Sequence, residues 1–274
     1  MISYDTAEAL SDIPSAVFFV EVLDLVTGDI GLGTAFHIGG GYFVTARHVV
    51  ERKKIRLVGR ADMSMKTVLA PDKSATYTTT HGAFEVGGEQ VDNVYFHPNP
   101  AVDVAILKLK GNVPQGLGYA IEQIQPVAHL CSLADTITEG ELLMAEVIVL
   151  GFPRIPKSQP HPPSLVAYRG DISSTITSSI NGRRHLIVTG MARGGFSGGP
   201  VLLLRGPMIK DYKFPHVQTS GNVIGVVVKS LVDSTASGGT EASREELGFT
   251  TAISAEAVIE VAKHYGHPTH LVNA

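Results

Sequence analysis

The chain has 274 residues, of which 44% are hydrophobic and 18% are charged, and its formal net charge is −4 at pH 7. These values are typical of a compact soluble protein and exclude an intrinsically disordered chain. The weak negative charge provides no broad basic surface, so we expect no nucleic-acid partner. The single cysteine, Cys131, excludes an intramolecular disulfide, and we expect it to be a buried apolar residue rather than a nucleophile.

The first residues show no secretory signal. They begin Met1-Ile2-Ser3-Tyr4-Asp5 and lack a positively charged region, a continuous apolar run and a small-residue cleavage site. The apolar stretch 16–26 is interrupted by Glu21 and Asp24 and is too short to span a bilayer. We therefore expect a cytoplasmic protein that does not associate with a membrane.

Short β-prone runs separated by Gly, Pro, Asn and Asp occupy most of the chain, a pattern typical of a sandwich or barrel. They form two groups of about six, separated by a segment that Pro114, Gly116 and Gly118 break. The predicted strands are 17–25, 33–38, 42–44, 54–58, 83–90 and 104–109, then 142–150, 166–173, 184–189, 201–204, 223–229 and 248–252.

A helix is predicted after the last strand, over about 254–265. Ser254 is the expected cap, and Glu256 near the start and Lys263 near the end suit the helix dipole. Two polar segments, 205–220 and 231–246, are predicted surface loops.

Three segments contain the groups that nucleophilic catalysis by a serine requires. In chain order they are Thr45-Ala46-Arg47-His48, Asp103-Val104-Ala105-Ile106-Leu107 and Gly195-Phe196-Ser197-Gly198-Gly199-Pro200. A serine needs a base to accept its proton, and the base needs a carboxylate to fix its tautomer. His48, Asp103 and Ser197 are the candidates, and Asp92 is a weaker candidate for the acid.

These segments resemble those of the chymotrypsin-fold (trypsin-like) serine peptidases, most of all the bacterial HtrA/Deg-type protease domain, without a PDZ domain. Segments 33–38, 149–153, 221–226 and 248–253 extend the resemblance. It implies an all-β fold of two six-stranded antiparallel barrels, 1–120 with His48 and Asp103, and 121–274 with Ser197 and the final helix. The implied activity is that of a serine endopeptidase, which cleaves proteins or peptides through an acyl-enzyme without a metal or cofactor.

The resemblance also implies the rest of the site. The backbone amides of Gly195 and Ser197, with Phe196 contributing, would form an oxyanion hole. Phe196 stands where the animal digestive enzymes have an acid and where Deg-type relatives commonly have Asn. The residues expected at the specificity pocket are Met191, Ala192, Val226, Val228, Lys229 and Phe249. An apolar Met191 at the pocket base favours a small to medium apolar residue before the scissile bond.

Other interpretations of the same residues were weighed. The Gly-x-Ser-x-Gly pattern around Ser197 also occurs in α/β-hydrolases, but those require a helix after the serine, and Gly198-Gly199-Pro200 followed by a β-prone run opposes one. His264, His267 and His270 do not share a helical face, so we expect no metal site.

Two functional alternatives stay open. One is a binding or regulatory module that is held inactive until an activating protein partner or a loop rearrangement assembles the triad. The other is an esterase that uses the same triad on non-peptide substrates. The sequence leaves the oligomeric state and the physiological substrate open.

Overall fold

The computed structural model describes residues 16–60, 63–68, 76–81, 84–110, 142–154, 163–178, 181–190, 194–205, 222–228 and 249–267. Helix α1 is a single turn (Arg47–Val50), helix α2 is longer (Glu256–His264), and Gly88–Gln90 form a 3₁₀ turn. The strands are β1 (Val17–Asp24), β2 (Ile30–Gly39), β3 (Tyr42–Thr45), β4 (Lys53–Arg60), β5 (Met63–Val68), β6 (Thr76–His81), β7 (Phe84–Gly87), β8 (Val91–Phe96), β9 (Ala105–Leu109), β10 (Glu146–Gly151), β11 (Val166–Thr177), β12 (Arg184–Thr189), β13 (Pro200–Arg205), β14 (Asn222–Val227) and β15 (Phe249–Ser254). Neither helix of the described part is long and apolar enough to cross a membrane.

The strands form two antiparallel units. In the first, seven strands follow the order β7-β4-β1-β2-β3-β9-β8, and β5 pairs with β6 as a separate hairpin. In the second, β10-β11-β12-β15-β14-β13 close into a six-stranded barrel. The predicted all-β class with a helix after the last strand is confirmed. The predicted boundary at 120/121 lies outside the described residues.

Strand β8 was not expected from the sequence. Asp92 and Asn93 break its apolar run, and both are exposed because β8 lies at the edge of the sheet. The pairing of β8 with β9 shifts register between Val91 and Asn93, so the alternation of side chains between the two faces is interrupted there.

Buried aromatic rings join the two units. Phe18 packs edge-on against Phe43 at 4.9 Å between ring centroids, inside the first sheet. Phe19 makes a similar contact of 5.7 Å with Phe152, which directly follows β10 of the barrel. All four side chains are fully buried, so the contact between the two units is apolar at this point.

Helix α2 packs on this shared core with one apolar face, formed by Ala257, Val258, Ile259, Val261 and Ala262. The prediction that Ser254 caps it was wrong: Ser254 ends β15, and the N-cap position is Ala255, which makes no side-chain capping bond. At the other end Gly266, with φ +65°, allows His267 N–H to donate to Ala262 O at 2.9 Å. This Schellman motif ends the helix.

Candidate active site

His48 and Asp103 meet where two elements of the first sheet end. Strand β3 ends at Thr45, and His48 is the second residue of the one-turn helix that follows. Asp103 lies in the connection between β8 and β9, and β9 is the neighbour of β3 in the sheet. The order of the strands therefore brings together two residues that are 55 positions apart.

The carboxylate of Asp103 binds His48 with both oxygens. The imidazole Nδ1 is 2.7 Å from Oδ2, and the backbone N–H of His48 donates to Oδ1 at 2.8 Å. Because a carboxylate only accepts, Nδ1 is the ring nitrogen that donates to Asp103. About a third of the His48 side chain is exposed. The arrangement is that of a base oriented by an acid.

Ser197 lies in the turn before β13, and backbone bonds hold it against the His48 segment. Its carbonyl accepts from Thr34 N–H at 2.8 Å. Next to it, Gly198 (φ +86°) is so close to the first unit that a Cβ there would lie 2.1 Å from Thr34 O and 2.8 Å from Ala46 N. Ala46 is two residues before His48. Among the described residues, no hydrogen bond joins the Ser197 hydroxyl to His48.

Thr34 on β2 connects the segments of the candidate site. Its hydroxyl donates to Gly195 O at 2.6 Å and accepts from Phe152 N–H at 3.0 Å. Its carbonyl accepts from the hydroxyl of Thr45, which ends β3, at 2.7 Å. The side chain is fully buried, so water does not compete for these bonds. Thr34 thus fixes the serine loop of the barrel on the first sheet.

The backbone before Ser197 makes a tight turn at Gly195. Gly195 adopts φ +108°, and a Cβ would lie 2.1 Å from Phe152 O, so only glycine fits. Gly194 O accepts from Arg154 N–H at 3.1 Å, which turns the N–H of Gly195 the opposite way. Within the described chain, none of the three consecutive N–H groups from Gly195 to Ser197 donates to another protein group. These are the N–H groups that the sequence analysis assigned to an oxyanion hole.

Phe196 anchors this loop in the barrel. It is 3% exposed and packs edge-on against Tyr168, at 5.4 Å between ring centroids. Burial raises the pKa of Tyr168 to about 12, so the phenol is neutral and donates to the Thr250 hydroxyl at 2.5 Å. Thr250 in turn donates to Gly190 O at 2.7 Å. A contact between two aromatic rings therefore holds the residue directly before the serine.

The structure places part of the predicted specificity pocket. Val226 is fully buried on β14, Val228 follows that strand and is 6% exposed, and Phe249, at the start of β15, is about half exposed. Met191, Ala192 and Lys229 lie outside the described residues.

Two groups near the site carry no local signal in the sequence. Thr34 falls within a segment that matched the family pattern, but its bonds reach residues more than 100 positions away. Tyr168 and Thr250 are 82 positions apart. The signal that could have indicated these contacts was a polar residue within an otherwise apolar strand. Among the described residues, no cluster of His, Cys, Asp or Glu side chains could hold a metal ion, and His270 is outside them.

An antiparallel sheet and a closed barrel, with a His–Asp pair and a glycine-rich serine loop at their junction, define a trypsin-like peptidase fold. The family profile described as "Trypsin-like peptidase domain" matches residues 33–209, and the chain belongs to this family.

Solved structures of low sequence identity share the fold. The active form of the Rv3671c protease from M. tuberculosis is 17% identical, with a TM-score of 0.54 over 95% of this chain and 85% of that one. The scabies mite inactivated protease paralogue S-I1 is 14% identical, with a TM-score of 0.55 over 93% and 95%. The serine endoprotease from Yersinia pestis is 16% identical, with a TM-score of 0.52 over 96% and 67%. A search of curated protein sequences found no match.

Proposed function

We propose that this protein is a serine endopeptidase in which Ser197 is the nucleophile, His48 the general base and Asp103 the residue that orients the base. The fold alone does not decide this, because similar structures include both active proteases and an inactivated paralogue. The observation that carries the proposal is the double contact of Asp103 with His48, which uses Nδ1 and leaves Nε2 as the ring nitrogen that Asp103 does not bind.

In the first half of the reaction Ser197 Oγ attacks the carbonyl carbon of the scissile bond and His48 Nε2 takes its proton. The negative charge on the former carbonyl oxygen is stabilised by N–H groups of the Gly195 to Ser197 turn. Cleavage of the C–N bond then transfers the proton from His48 to the leaving amine and leaves an acyl-enzyme. Water, deprotonated by the same imidazole, releases the acyl group.

The position of the Ser197 backbone supports this role. The Thr34 and Gly198 contacts hold the serine loop against Thr34 and Ala46, and Ala46 is two residues before His48 in the chain. Catalytic hydrogen bonds are often long or misaligned without substrate and shorten when substrate binds.

The test is cleavage of casein, followed on gels and by mass spectrometry of the fragments. We expect Ser197→Ala and His48→Ala to lower kcat/KM by about 10⁴-fold or more. Ser173→Ala and His264→Ala, at exposed positions away from the site, serve as matched controls and keep full activity. Cleavage that survives Ser197→Ala would overturn the proposal.

The missing bond between Ser197 and His48 favours one alternative, a module held inactive until a partner protein or a loop rearrangement assembles the triad. A wild-type protein that neither cleaves casein nor hydrolyses p-nitrophenyl esters would support that alternative. Ester hydrolysis that depends on Ser197, without peptide cleavage, would instead indicate an esterase.

A further inference from the structure

The connection between β8 and β9 carries Asp103, and its own polar groups close it. At its base, His97 N–H donates to Val104 O at 3.1 Å. Inside it, the Asn99 side chain accepts from Ala101 N–H at 3.0 Å. We call residues 97–104 the acid loop. Because residues 97 and 104 at its two ends are bonded to each other, a displacement of these ends also displaces the carboxylate of Asp103.

Side chains of the second unit bind the acid loop at its first residue, His97, and in its middle, at Ala101. At the base, the buried imidazole of His97 has Nε2 2.8 Å from Glu260 Oε2 on helix α2. Arg183 Nη2 lies 2.8 Å from the same carboxylate oxygen. At the tip, Asn181 Nδ2 donates to Ala101 O at 3.1 Å. Glu260 therefore joins the acid loop, helix α2 and the connection between β11 and β12.

The hydrogen bonds of His97 occupy both ring nitrogens. Nδ1 lies 3.1 Å from Asn99 N and 3.3 Å from Asn99 O. Nε2 lies 2.8 Å from Glu260 Oε2, and because a carboxylate oxygen only accepts, Nε2 is the nitrogen that donates to Glu260. The carbonyl of His97 accepts from Arg47 Nη1 at 3.4 Å, and Arg47 directly precedes His48. His97, at the start of the acid loop, is thus bonded to Glu260 through its side chain and to Arg47 through its carbonyl. Arg47 is the neighbour of His48, the proposed general base.

We propose that Glu260 is a positioning residue for Asp103, acting through His97 and Arg183 to hold the acid loop where its carboxylate meets His48. The inference rests on the proposed function, because the position of Asp103 affects a reaction only if His48 serves Ser197.

The contact that Glu260 would protect has little tolerance for movement. Asp103 uses its two oxygens on two atoms of His48, at 2.7 and 2.8 Å, and such bonds weaken steeply as they lengthen or bend. Removal of the Glu260 carboxylate leaves the Nε2–H of His97 in a buried position without its acceptor. A buried donor moves to find a new partner, and the loop moves with it.

The test compares three variants of the full chain. Glu260→Ala removes the carboxylate, and Glu260→Gln keeps an acceptor for His97. Glu256→Ala is the matched control, since it truncates another acidic residue of α2 with no bond to the acid loop. The first readout is the low-field proton resonance of Nδ1–H in His48, which needs no activity. The second is the pH dependence of inactivation by a fluorophosphonate.

We expect Glu260→Ala to move the His48 resonance upfield and to lower the apparent pKa of the inactivation profile by about one unit, because a weaker carboxylate contact stabilises the imidazolium less. Glu260→Gln restores most of both, and Glu256→Ala leaves both unchanged. If Glu260→Ala does not fold, Glu260→Asp is used instead. Its side chain is one methylene shorter, so the carboxylate lies further from His97, and we expect the same changes with a smaller magnitude.

An unchanged His48 resonance in a folded Glu260 variant would overturn the inference. A wild-type protein that shows the resonance but does not react with the fluorophosphonate would instead contradict the proposed function, so the two failures are distinguishable.

Discussion

The hydroxyl of Thr34 donates a 2.6 Å hydrogen bond to the carbonyl oxygen of Gly195, 161 residues further along the chain. The bond ties the backbone of the proposed oxyanion site to a rigid strand of the other unit. The same hydroxyl accepts from Phe152 N–H, so one side chain satisfies two buried backbone groups. Orientation of the Gly195 to Ser197 turn therefore depends on a residue that touches no substrate.

Replacement of Thr34 by Val keeps the shape and removes the hydroxyl. Two buried backbone groups then lack partners, at about 1–3 kcal/mol each, and the turn tilts. We expect Thr34→Val to lower kcat about tenfold or more with little change in KM, since removal of an oxyanion donor itself costs about 10²–10³-fold. Steady-state kinetics on a peptide substrate measure this. Thr34→Ser should recover most of kcat, and equal damage in both variants would contradict the role of the hydroxyl.

Substitution of two glycines with positive φ distinguishes the cost of backbone strain from the cost of a steric clash. Gly198 has φ +86° and a Cβ there would lie 2.1 Å from Thr34 O, whereas Gly182 has φ +67° and nothing within 4 Å. We expect Gly182→Ala to cost about 1 kcal/mol, the usual cost of a left-handed alanine. Gly198→Ala should cost clearly more, because backbone atoms must shift. Chemical denaturation of both variants makes the comparison, and equal losses would show that the two units are not so tightly apposed.

The chain of hydroxyls from Tyr168 through Thr250 to Gly190 O predicts an order of stabilities. Tyr168→Phe removes one donor and should cost about 1 kcal/mol, while Thr250→Val leaves both the phenol and a carbonyl unpaired and should cost more. The double variant should lose less than the sum of the two, because both changes break the same bond. Urea denaturation measures all three. Strict additivity would mean that the hydroxyls do not interact.

Acid should weaken the contact between helix α2 and the first sheet at His267. Its ring lies 4.5 Å from those of Tyr42 and Tyr95, and its buried Nε2 has no partner among the described residues. Burial, and secondarily the charge of Lys108, lower the pKa of His267 below its usual 6.5. The unfolded chain then binds the proton more readily, so stability is full above pH 6.5 and falls as the pH drops below it.

The measurement is the melting temperature of wild type and His267→Phe between pH 8 and pH 5. We expect the variant to lose less than wild type on acidification, because it has no imidazole to protonate at this position. The exposed neighbour His264 provides the control: His264→Phe should retain the wild-type pH dependence. Parallel curves for wild type and His267→Phe would contradict the assignment.

The sequence predicted most of the strands and the site motifs, because each is encoded by a local pattern of residues. Short apolar runs bounded by glycine and proline located most strands, and the motifs around His48, Asp103 and Ser197 pointed to the junction of the two units. It missed β5, β6 and β8, and it misplaced the helix cap, because Ser254 is used by strand pairing. The Thr34, Tyr168 and Glu260 contacts could not be predicted, since each depends on residues brought together only by the complete fold.

The central claim is that Ser197 is a nucleophile activated by the His48–Asp103 pair. Its most direct test is the intact mass of the purified protein after exposure to a fluorophosphonate, with peptide mapping of the adduct and with His48→Ala and Ser197→Ala alongside. We expect one adduct per wild-type chain, located on Ser197, and none on either variant. No adduct on wild type, or an adduct on any other residue, would contradict this account of the site.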